Sequence, residues 1–378
     1  MKIVLTGGGT GGHFYPLIAV AEEIMAIAEK RNLLTPELYY IADTPYDEKI
    51  LFEKNIQFRR SPAGKVRVYF SIRNFFDSIK TVAGIIKSTF LLFKIYPDVV
   101  FSKGGYVSFP IIIAARILRI PIFIHDSDAV PGRVNLYSAK YAVRIGISYP
   151  EAIDYFKEYK DKIAFVGNPI RRDILKPIRE GGNEYLGLDP SIPTIFIIGG
   201  SQGSLALNDV ILEALPDLVT KYQIIHQTGE ALFAQTAGAA KVILENNEYA
   251  ARYKPFAYLG ELALRMVAGI AVVVVSRAGS GTIYEIASWE IPAILVPIPE
   301  DISRDQRKNA YAYAKTGAAE VIEQGNLTPH VLLAELARLV EDTKLQASMR
   351  TSAKQFQKPD AANKIANELI DIALEHEA

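Results

Sequence analysis

Three short glycine-rich segments carry the residue types from which anion-binding sites are built. They cover residues 7–12, 199–203 and 276–282, and each follows a run of apolar, mostly β-branched residues. A glycine loop between a strand and a helix directs free backbone N–H groups and the positive helix end toward one point. The missing side chains also let a phosphate come close. The sequence therefore predicts phosphate binding at these loops.

The first loop matches the pattern G-x-G-x-x-G and is followed at once by His13. His13 falls on the first turn of the predicted helix, where a neutral imidazole could accept a proton from a substrate. The same pattern is typical of a dinucleotide site, in which Asp43 at the end of the second predicted strand would bind a ribose. A plain tight turn would also explain it. The residues alone leave these interpretations open.

The other two loops offer hydroxyl and carboxylate groups to a nucleotide. Ser201 could donate its hydroxyl group to a diphosphate. Ser280, Gly281 and Thr282 open a predicted helix whose N-terminus would hold phosphates. Glu285 on the same helix could accept hydrogen bonds from both ribose hydroxyls. A helix cap followed by a surface glutamate is the simpler alternative.

Polar side chains also follow two predicted strands. Asp128 comes just after residues 121–125, and Asp305, Gln306 and Asn309 come after residues 293–297. Ligands of doubly wound folds bind at the carboxyl ends of strands, so the second group is expected to contact sugar hydroxyls. Asp128 could accept a proton if burial raises its pKa. It could equally cap the turn at residues 129–132, for which Asp is well suited.

An alternation of β-rich runs with helical patterns sets the fold class. It predicts parallel sheets covered by helices. Residues 3–12 are echoed by residues 195–204, and each copy reads as a strand, a glycine loop and a helix. We therefore expect an α/β protein with two Rossmann-like, doubly wound parallel-sheet domains facing a cleft. The predicted strands are residues 2–6, 38–42, 98–102, 121–125, 163–166, 194–198, 223–227, 271–276 and 293–297.

Composition restricts the class of protein further. The chain has 378 residues, of which 49% are hydrophobic, enough for two cores. It has no cysteine, which excludes disulfides, thiolate nucleophiles and cysteine-ligated zinc and favours a reducing compartment. The longest apolar run, residues 266–275, is about half of the roughly 20 residues that span a bilayer. We expect no transmembrane segment, no metal site and no nucleic-acid partner.

One predicted helix has an apolar stripe with a basic shoulder, typical of a helix that lies in a membrane interface. If exposed, this stripe would bring the protein into peripheral contact with an anionic membrane. A core-facing helix with a solvated basic edge is the alternative. The stripe consists of Phe75, Ile79, Val82, Ile86, Phe90 and Phe93, and the shoulder of Arg73, Lys80, Lys87 and Lys94.

Eight motifs in a fixed order give the sequence a family resemblance. From the first strand to about residue 320, the chain resembles the MurG family of peptidoglycan N-acetylglucosaminyltransferases, which belongs to the two-Rossmann-domain (GT-B) superfamily. The motifs are GGTGGH at 8–13, GGYVS at 104–108, HDSDAVPG at 125–132, GNPIR at 167–171, GGSQG at 199–203, HQTG at 226–229, SRAG at 276–279 with Glu285, and RDQ at 304–306 with Asn309.

The resemblance implies an inverting transfer of N-acetylglucosamine from UDP-N-acetylglucosamine to undecaprenyl-diphosphate-linked N-acetylmuramoyl-pentapeptide. This reaction serves peptidoglycan synthesis, and through it cell shape and division. Residues 1–166 with 357–378 would bind the acceptor, because the last helix crosses back in this superfamily, and residues 167–356 would bind the donor. The enzyme would act peripherally at the cytoplasmic face of the cell membrane. It would require no cofactor, although Mg²⁺ could pair with the substrate phosphates.

The resemblance also assigns roles to residues. Arg171, Ser201 and the helix start at 280–282 would bind the diphosphate, Glu285 the ribose, Leu259 the uracil through its backbone, and Gln306 the sugar. His13 and Asp128 are the implied catalytic residues. The implied donor-binding set is Thr10, Gly11, Gly12, Asp128, Arg171, Ser201, Leu259, Ser280, Gly281, Thr282, Glu285 and Gln306. The implied acceptor-binding set is Gly11, Gly12, His13, Gly104, Gly105 and Tyr106.

The chain departs from the family pattern at two places. It has HDSD at residues 125–128 where the family usually has HEQN, and RDQ at residues 304–306 where the family has RQQ. Asp128 and Asp305 thus replace amides. An asparagine can orient a sugar hydroxyl but cannot take its proton at neutral pH, whereas a carboxylate can do both. We therefore expect Asp128 to share or replace the general-base role of His13.

Three alternative functions are compatible with parts of the pattern. A UDP-N-acetylglucosamine 2-epimerase-like enzyme would use two such domains on the same nucleotide sugar without a lipid acceptor. A nicotinamide-dependent oxidoreductase would use the first loop and Asp43 but would leave Glu285 without a role. A non-catalytic sugar-nucleotide-binding subunit would bind the donor and recruit a partner.

Overall fold

The chain folds into two compact units. The computed structural model describes residues 1–8, 10–64, 72–200, 202–303 and 305–377. One unit comprises Met1–Arg171 and Lys358–Ala378, and the other Arg172–Gln357. The boundaries expected from the sequence, after residues 166 and 356, lie close to these divisions.

The helices and strands alternate through most of the chain. The strands are β1 (Lys2–Thr6), β2 (Glu37–Ala42), β3 (Gln57–Arg60), β4 (Val99–Ser102), β5 (Ile122–Asp126), β6 (Arg144–Ile147), β7 (Ile163–Phe165), β8 (Thr194–Ile198), β9 (Gln223–Gln227), β10 (Tyr253–Phe256), β11 (Ala271–Ser276), β12 (Ala293–Leu295) and β13 (Ala319–Val321). The α-helices are α1 (Gly11–Lys30), α2 (Glu48–Glu53), α3 (Ile72–Ile95), α4 (Phe109–Ile117), α5 (Arg133–Ser138), α6 (Gly182–Leu186), α7 (Leu205–Lys221), α8 (Phe233–Ile243), α9 (Glu261–Ile270), α10 (Ser280–Trp289), α11 (Gln306–Ala314), α12 (Pro329–Glu341), α13 (Thr343–Phe356) and α14 (Ala361–Glu377). Short 3₁₀ segments occupy Arg172–Leu175, Ala250–Arg252 and Gln324–Asn326. A longer one, Pro150–Lys162, is interrupted by non-helical backbone at Phe156 and Tyr159.

The first unit is built on a seven-stranded sheet with the order β3-β2-β1-β4-β5-β6-β7. Alternate residues of β1 enter two different cores: Ile3 and Leu5 pack with α1 and α14, and Val4 packs with α4. Helices therefore cover both faces of the sheet, which explains why its central strands are apolar throughout. The last helix, α14, packs on α1 through Ile365 and Leu369, so the C-terminus belongs to this unit.

The second unit repeats this plan with a six-stranded sheet of order β10-β9-β8-β11-β12-β13. Ile195 and Ile197 face one core and Phe196 and Ile198 the other. In both sheets the strand order reverses beside the first strand of the unit, between β1 and β4 and between β8 and β11. Ligands of doubly wound folds bind at such a switch point, at the carboxyl ends of the strands. The predicted class of two doubly wound, parallel-sheet α/β domains is confirmed.

Four strands, β3, β6, β10 and β13, were not predicted. Three of them lie at sheet edges, and β3 is mostly exposed and reads Gln-Phe-Arg-Arg. An edge strand does not need two apolar faces, so it leaves no apolar run in the sequence. Among the helices of the described residues, none is both long and apolar enough to cross a membrane.

Candidate active site

The first glycine loop meets the segment after β4 at the switch point of the first unit. Gly7 lies so close to Lys103 that a Cβ atom on it would stand 2.9 Å from the lysine Cβ. Gly104 has a φ of +80°, and a Cβ atom there would stand 2.7 Å from Asn135 Nδ2. Both positions therefore need glycine. A Cβ atom on Gly105 would lie 3.9 Å from His13 Cε1, so the fold brings the proposed acceptor loop to the predicted catalytic histidine.

His13 lies on the first turn of α1, three residues after Thr10. Its Nδ1 is 3.4 Å from Thr10 Oγ1. Burial, assisted by the positive charge of Lys103, lowers the pKa of His13 to about 4. The imidazole is therefore neutral at neutral pH and can accept a proton or a hydrogen bond. Gly11 and Gly12, on the same turn, are the residues that the sequence assigned to diphosphate binding.

The loop that carries Asp128 is held by its neighbour Asp126. The Asp126 carboxylate accepts hydrogen bonds from the backbone N–H of Asp128 at 3.1 Å, from that of Gly132 at 3.0 Å and from Asn135 Nδ2 at 2.8 Å. Asp126 thus caps the turn at residues 129–132, the task that was the alternative role for Asp128. Burial and the charge of Asp128 raise the pKa of Asp126 to about 6. Asp128 itself is partly exposed at the carboxyl end of β5.

Sequence analysis missed two buried residues, Lys103 and Asn168, that lie next to the Asp128 loop. Lys103 is 1% exposed and contacts His125, Ser127 and Asn168, and Asn168 is fully buried. The available signals were a lysine directly before the GGYVS motif at residues 104–108 and an asparagine inside the GNPIR motif at residues 167–171.

Arg171 and Asp43 both have partners within the first unit. The guanidinium group of Arg171 lies 4.7 Å from the ring centre of Tyr15 on α1, a cation–π geometry. Asp43, the ribose ligand of the dinucleotide interpretation, is bound by Lys80 Nζ at 3.0 Å and lies 3.7 Å from Arg60 Nε. Both cations therefore contact the carboxylate on which the dinucleotide interpretation depends.

In the second unit, the glycine loop after β8 corresponds to the glycine loop after β1 in the first unit. Gly203 has a φ of +78°, and a Cβ atom on it would stand 2.2 Å from the carbonyl oxygen of Thr228, so only glycine fits. Ser204 then caps α7 by accepting a hydrogen bond from the backbone N–H of Leu207 at 3.3 Å. Ser201, which the sequence placed at the donor site, and Arg304 of the RDQ motif lie outside the described residues.

The third loop leads into α10, which begins at Ser280 and carries Gly281, Thr282 and Glu285. Among the described residues, no heavy atom apart from those of the chain neighbours and the helix backbone lies within 4 Å of a Cβ atom built on Gly279 or Gly281. These residues therefore leave room for a ligand at the helix start. Glu285 is partly exposed on the second turn of the helix. The arrangement suits an anion at the helix start and hydroxyl groups beside Glu285.

The remaining predicted donor residues differ in their exposure. Leu259 is 2% exposed, and its backbone N–H already donates to Gln227 Oε1 at 3.1 Å. Gln306 begins α11, where its Oε1 accepts a hydrogen bond from the backbone N–H of Ile298 at 3.3 Å. Asn309 is fully buried and donates to the Ala278 carbonyl oxygen at 3.4 Å. Asn309 therefore supports the third loop, and the contact with a sugar that the sequence suggested for it stays a prediction.

A second buried cation, Arg277, holds the loops of the second unit together. Its Nε donates to Ser204 Oγ at 2.8 Å, its Nη1 to the carbonyl oxygen of Val296 at 3.1 Å, and its Nη2 to Gln324 Oε1 at 2.7 Å. These partners follow β8, β12 and β13, respectively. Within the described ranges, no group of three or more His, Asp or Glu side chains is arranged to hold a metal ion.

Comparison with known proteins identifies relatives along nearly the whole chain. Models of the glycosyltransferase family 28 N-terminal and C-terminal domains match residues 3–147 and 194–365. The UDP-N-acetylglucosamine–N-acetylmuramyl-(pentapeptide) pyrophosphoryl-undecaprenol N-acetylglucosamine transferase of Treponema denticola is 34% identical over 97% of this chain and 94% of its own. The protein of the same name from Clostridium kluyveri is 34% identical over 97% of this chain and 98% of its own.

Solved structures share the fold at lower identity. The crystal structure of Acinetobacter baumannii MurG superposes with a TM-score of 0.71 at 23% identity, over 98% of this chain and 99% of that chain. The UDP-GlcNAc 2-epimerase of Neisseria meningitidis bound to UDP-GlcNAc superposes with a TM-score of 0.65 at 15% identity, over 98% of this chain and 100% of that chain. At such identities the likeness shows the fold alone.

Replacing Arg277 by Met should destabilise the second unit by roughly 2–5 kcal/mol, because several buried acceptors lose their donor. Ser204→Ala, which removes one acceptor and the cap of α7, should cost about 1 kcal/mol. Urea unfolding followed by the fluorescence of Trp289, the single tryptophan and a buried residue of this unit, measures both. Equal stabilities of Arg277→Met and Ser204→Ala would show that the guanidinium group is not the cross-link described.

Proposed function

The chain belongs to glycosyltransferase family 28, and we propose that it transfers N-acetylglucosamine from UDP-N-acetylglucosamine to undecaprenyl-diphosphate-linked N-acetylmuramoyl-pentapeptide. The relation to transferases of this name over nearly the full chain carries the proposal. The two sheets agree with it, because each has a glycine loop at its switch point and both substrates of this reaction contain a diphosphate.

The donor is assigned mainly to the second unit. The start of α10, at Ser280 to Thr282, faces the diphosphate, and Glu285 binds the ribose hydroxyls. Leu259 contacts the uracil through its carbonyl oxygen, since its N–H already has a partner. Gln306 contacts the sugar. Thr10, Gly11, Gly12, Asp128, Arg171 and Ser201 complete the proposed donor set.

The acceptor is assigned to the first unit. Its diphosphate binds at the N-terminus of α1, through Gly11 and Gly12, and at Gly104, Gly105 and Tyr106 after β4. A Cβ atom on Gly105 would lie 3.9 Å from His13 Cε1, which supports His13 as a base for an acceptor bound at this loop. Mg²⁺ is proposed only as a partner of the substrate phosphates.

Transfer requires a base for the acceptor hydroxyl and stabilisation of the leaving diphosphate. The hydroxyl oxygen attacks the anomeric carbon from the face opposite UDP, so the configuration inverts in one displacement. Asp128 or His13 takes the hydroxyl proton. The helix start at Ser280 and the guanidinium group of Arg171 stabilise the charge that develops on UDP.

We assign the protein to the cytoplasmic face of the cell membrane, with α3 as the contact. The apolar stripe of this helix is solvent-exposed, so the core-facing alternative is wrong for the residues whose side chains are described. Phe90 and Phe93 are 71% and 69% exposed, and Lys87 and Lys94 accompany them. Ile79, Val82 and Ile86 continue the exposed stripe. The side chains of Arg73 and Phe75 are not among those that the structure describes.

The transfer is tested with labelled UDP-N-acetylglucosamine, with and without the lipid-linked acceptor in detergent micelles. Label should enter the lipid product only when the acceptor is present. Glu285→Ala should lower UDP affinity at least tenfold in calorimetry, because it loses the ribose contact, whereas Glu213→Ala, an exposed glutamate on α7, should not. Epimerised sugar formed without acceptor, or donor binding with no turnover, would replace the proposal by one of its alternatives.

Asp128→Asn should lower turnover by roughly 10²–10⁴-fold, because an amide cannot accept the proton. The acidic limb of the kcat/KM profile should change as well, since this profile reports the free enzyme's essential base. If His13 is the base instead, the limb should lie near pH 4, following the lowered pKa of His13. Near-normal turnover with an unshifted limb in Asp128→Asn, together with inactivity of His13→Gln, would assign the proton to His13.

Charge reversal at Lys87 and Lys94 should weaken binding to vesicles that contain anionic lipid. Each cation near such a surface contributes about 1 kcal/mol, so the double variant should bind at least tenfold less well in co-sedimentation. Lys241→Glu with Lys344→Glu, two exposed sites of the second unit, is the control and should bind normally. Equal loss in both double variants would remove α3 as the specific contact.

A further inference from the structure

The ammonium group of Lys103 is buried at the carboxyl end of β4, where nothing in the proposed reaction uses it. Its Nζ lies 2.5 Å from His125 Nδ1, 2.6 Å from Ser127 Oγ and 3.1 Å from Asn168 Oδ1. The side chain is 1% exposed. An unpaired ammonium in such a site would be strongly unfavourable, so these partners are required by its burial.

The partners match the three N–H donors of a lysine ammonium one to one. His125 Nε2 lies 2.8 Å from the carbonyl oxygen of Gly167, which can only accept, so Nε2 carries the ring proton. Nδ1 of the neutral ring is then the acceptor that faces Lys103. The negative charges of Asp126 and Asp128 also favour the ammonium form.

The three partners come from separate parts of the chain. His125 and Ser127 lie at the end of β5 and in the loop that carries Asp128, and Asn168 lies after β7, in the segment that leads to Arg171. Lys103 itself immediately precedes Gly104 and Gly105. One ammonium group therefore joins the proposed acceptor loop, the loop of the candidate base and the segment before a proposed donor ligand.

We propose that Lys103 is a positioning residue for the transfer, whose ammonium group fixes the Asp128 loop and the Gly167–Asn168 segment against the end of β4. This inference rests on the proposed function. Arg277 supports it, because this cation also follows its strand directly, at the equivalent place in the second sheet, and also joins three loops. A displacement of about 1 Å in such a loop is enough to cost roughly 10²-fold in rate.

The pH dependence of turnover distinguishes a role of the Lys103 charge from a role in which the side chain only fills space. Burial lowers the pKa of Lys103 to about 7, against the opposing charges of Asp126 and Asp128. His13 and His125 also respond to its charge, which lowers the pKa of each. Because the folded-state pKa lies near neutrality, raising the pH through about 7 converts the ammonium to an amine. Turnover should therefore fall on the basic side of that pH.

The chain has no cysteine, so Lys103→Cys provides a single site for chemical rescue. Alkylating the unfolded variant with 2-bromoethylamine and refolding it gives a lysine analogue with sulfur in the side chain. Alkylation with 1-iodopropane gives a side chain of the same shape with a methyl group in place of the ammonium. Lys103→Met is the genetic counterpart of the propyl protein.

Lys103→Met and the propyl protein should lose roughly 10²-fold in kcat. Their UDP affinity should fall much less, because the donor is assigned mainly to the second unit. The aminoethyl protein should regain most of the turnover, and its basic limb should move to lower pH, because sulfur lowers the pKa of the amine. Equal turnover of the propyl and aminoethyl proteins, or a basic limb that does not move, would overturn the inference. If the propyl protein does not refold, the inference is tested by the basic limb of the pH profile of the aminoethyl protein, which should lie at lower pH than that of the wild type.

Measurements on the wild-type protein distinguish a failure of the Lys103 inference from a failure of the proposed function. Absence of transfer by the wild type with donor and acceptor would refute the function. The geometry around Lys103 is then still tested by the ¹⁵N shift of His125 Nδ1, which should move in Lys103→Met as its hydrogen bond is lost. An unchanged shift would contradict the contact itself.

Discussion

The strands of both sheets are all parallel, and the rest of the molecule depends on this constraint. A parallel strand must return across a face of the sheet, which places helices on both faces and leaves the central strands without contact to water. Polar chemistry is therefore confined to the ends of the strands. The order reversal beside β1 and beside β8 then opens a space at one point of each carboxyl edge, where the glycine loops lie.

Confinement to one edge brings polar groups together in places that water does not reach. Lys103 and Arg277 are both buried, and each directly follows a serine that ends the strand next to the first strand of its unit. Each donates to groups from several loops. The two units thus share the sheet order and the way in which their loops are fixed. In each, the loops are joined by a cation, which has more N–H donors than any neutral side chain.

Burial distinguishes the residues that support the loops from the residues that can contact a ligand at the ends of the strands. Asp126, Asn168 and Asn309 are buried and paired with neighbouring loops, whereas Asp128 and Glu285 are partly exposed on the elements that those residues support. The turn that carries Asp128 is capped by the buried carboxylate of Asp126. Chemistry can therefore vary at the exposed position while the buried frame keeps the loop in place.

The sequence by itself determined the fold class, the repeated strand–loop–helix unit, the glycine loops and the order of the family motifs. These features follow from local rules: apolar runs for buried strands, and small residues where the backbone must turn or meet an anion. Four strands escaped prediction because edge or short strands need no apolar run.

Only the tertiary structure decided which side chains share a site and which face of a helix meets water. The periodicity of α3 gave a stripe, but its exposure depends on what packs against the helix. The position of Asn309 after a strand suggested a sugar contact, and only the structure shows that its buried amide supports the loop at Ala278. The group formed by Lys103, His125 and Asn168 spans 65 residues of chain, and no local pattern encodes a contact between strand ends brought together by the sheet order.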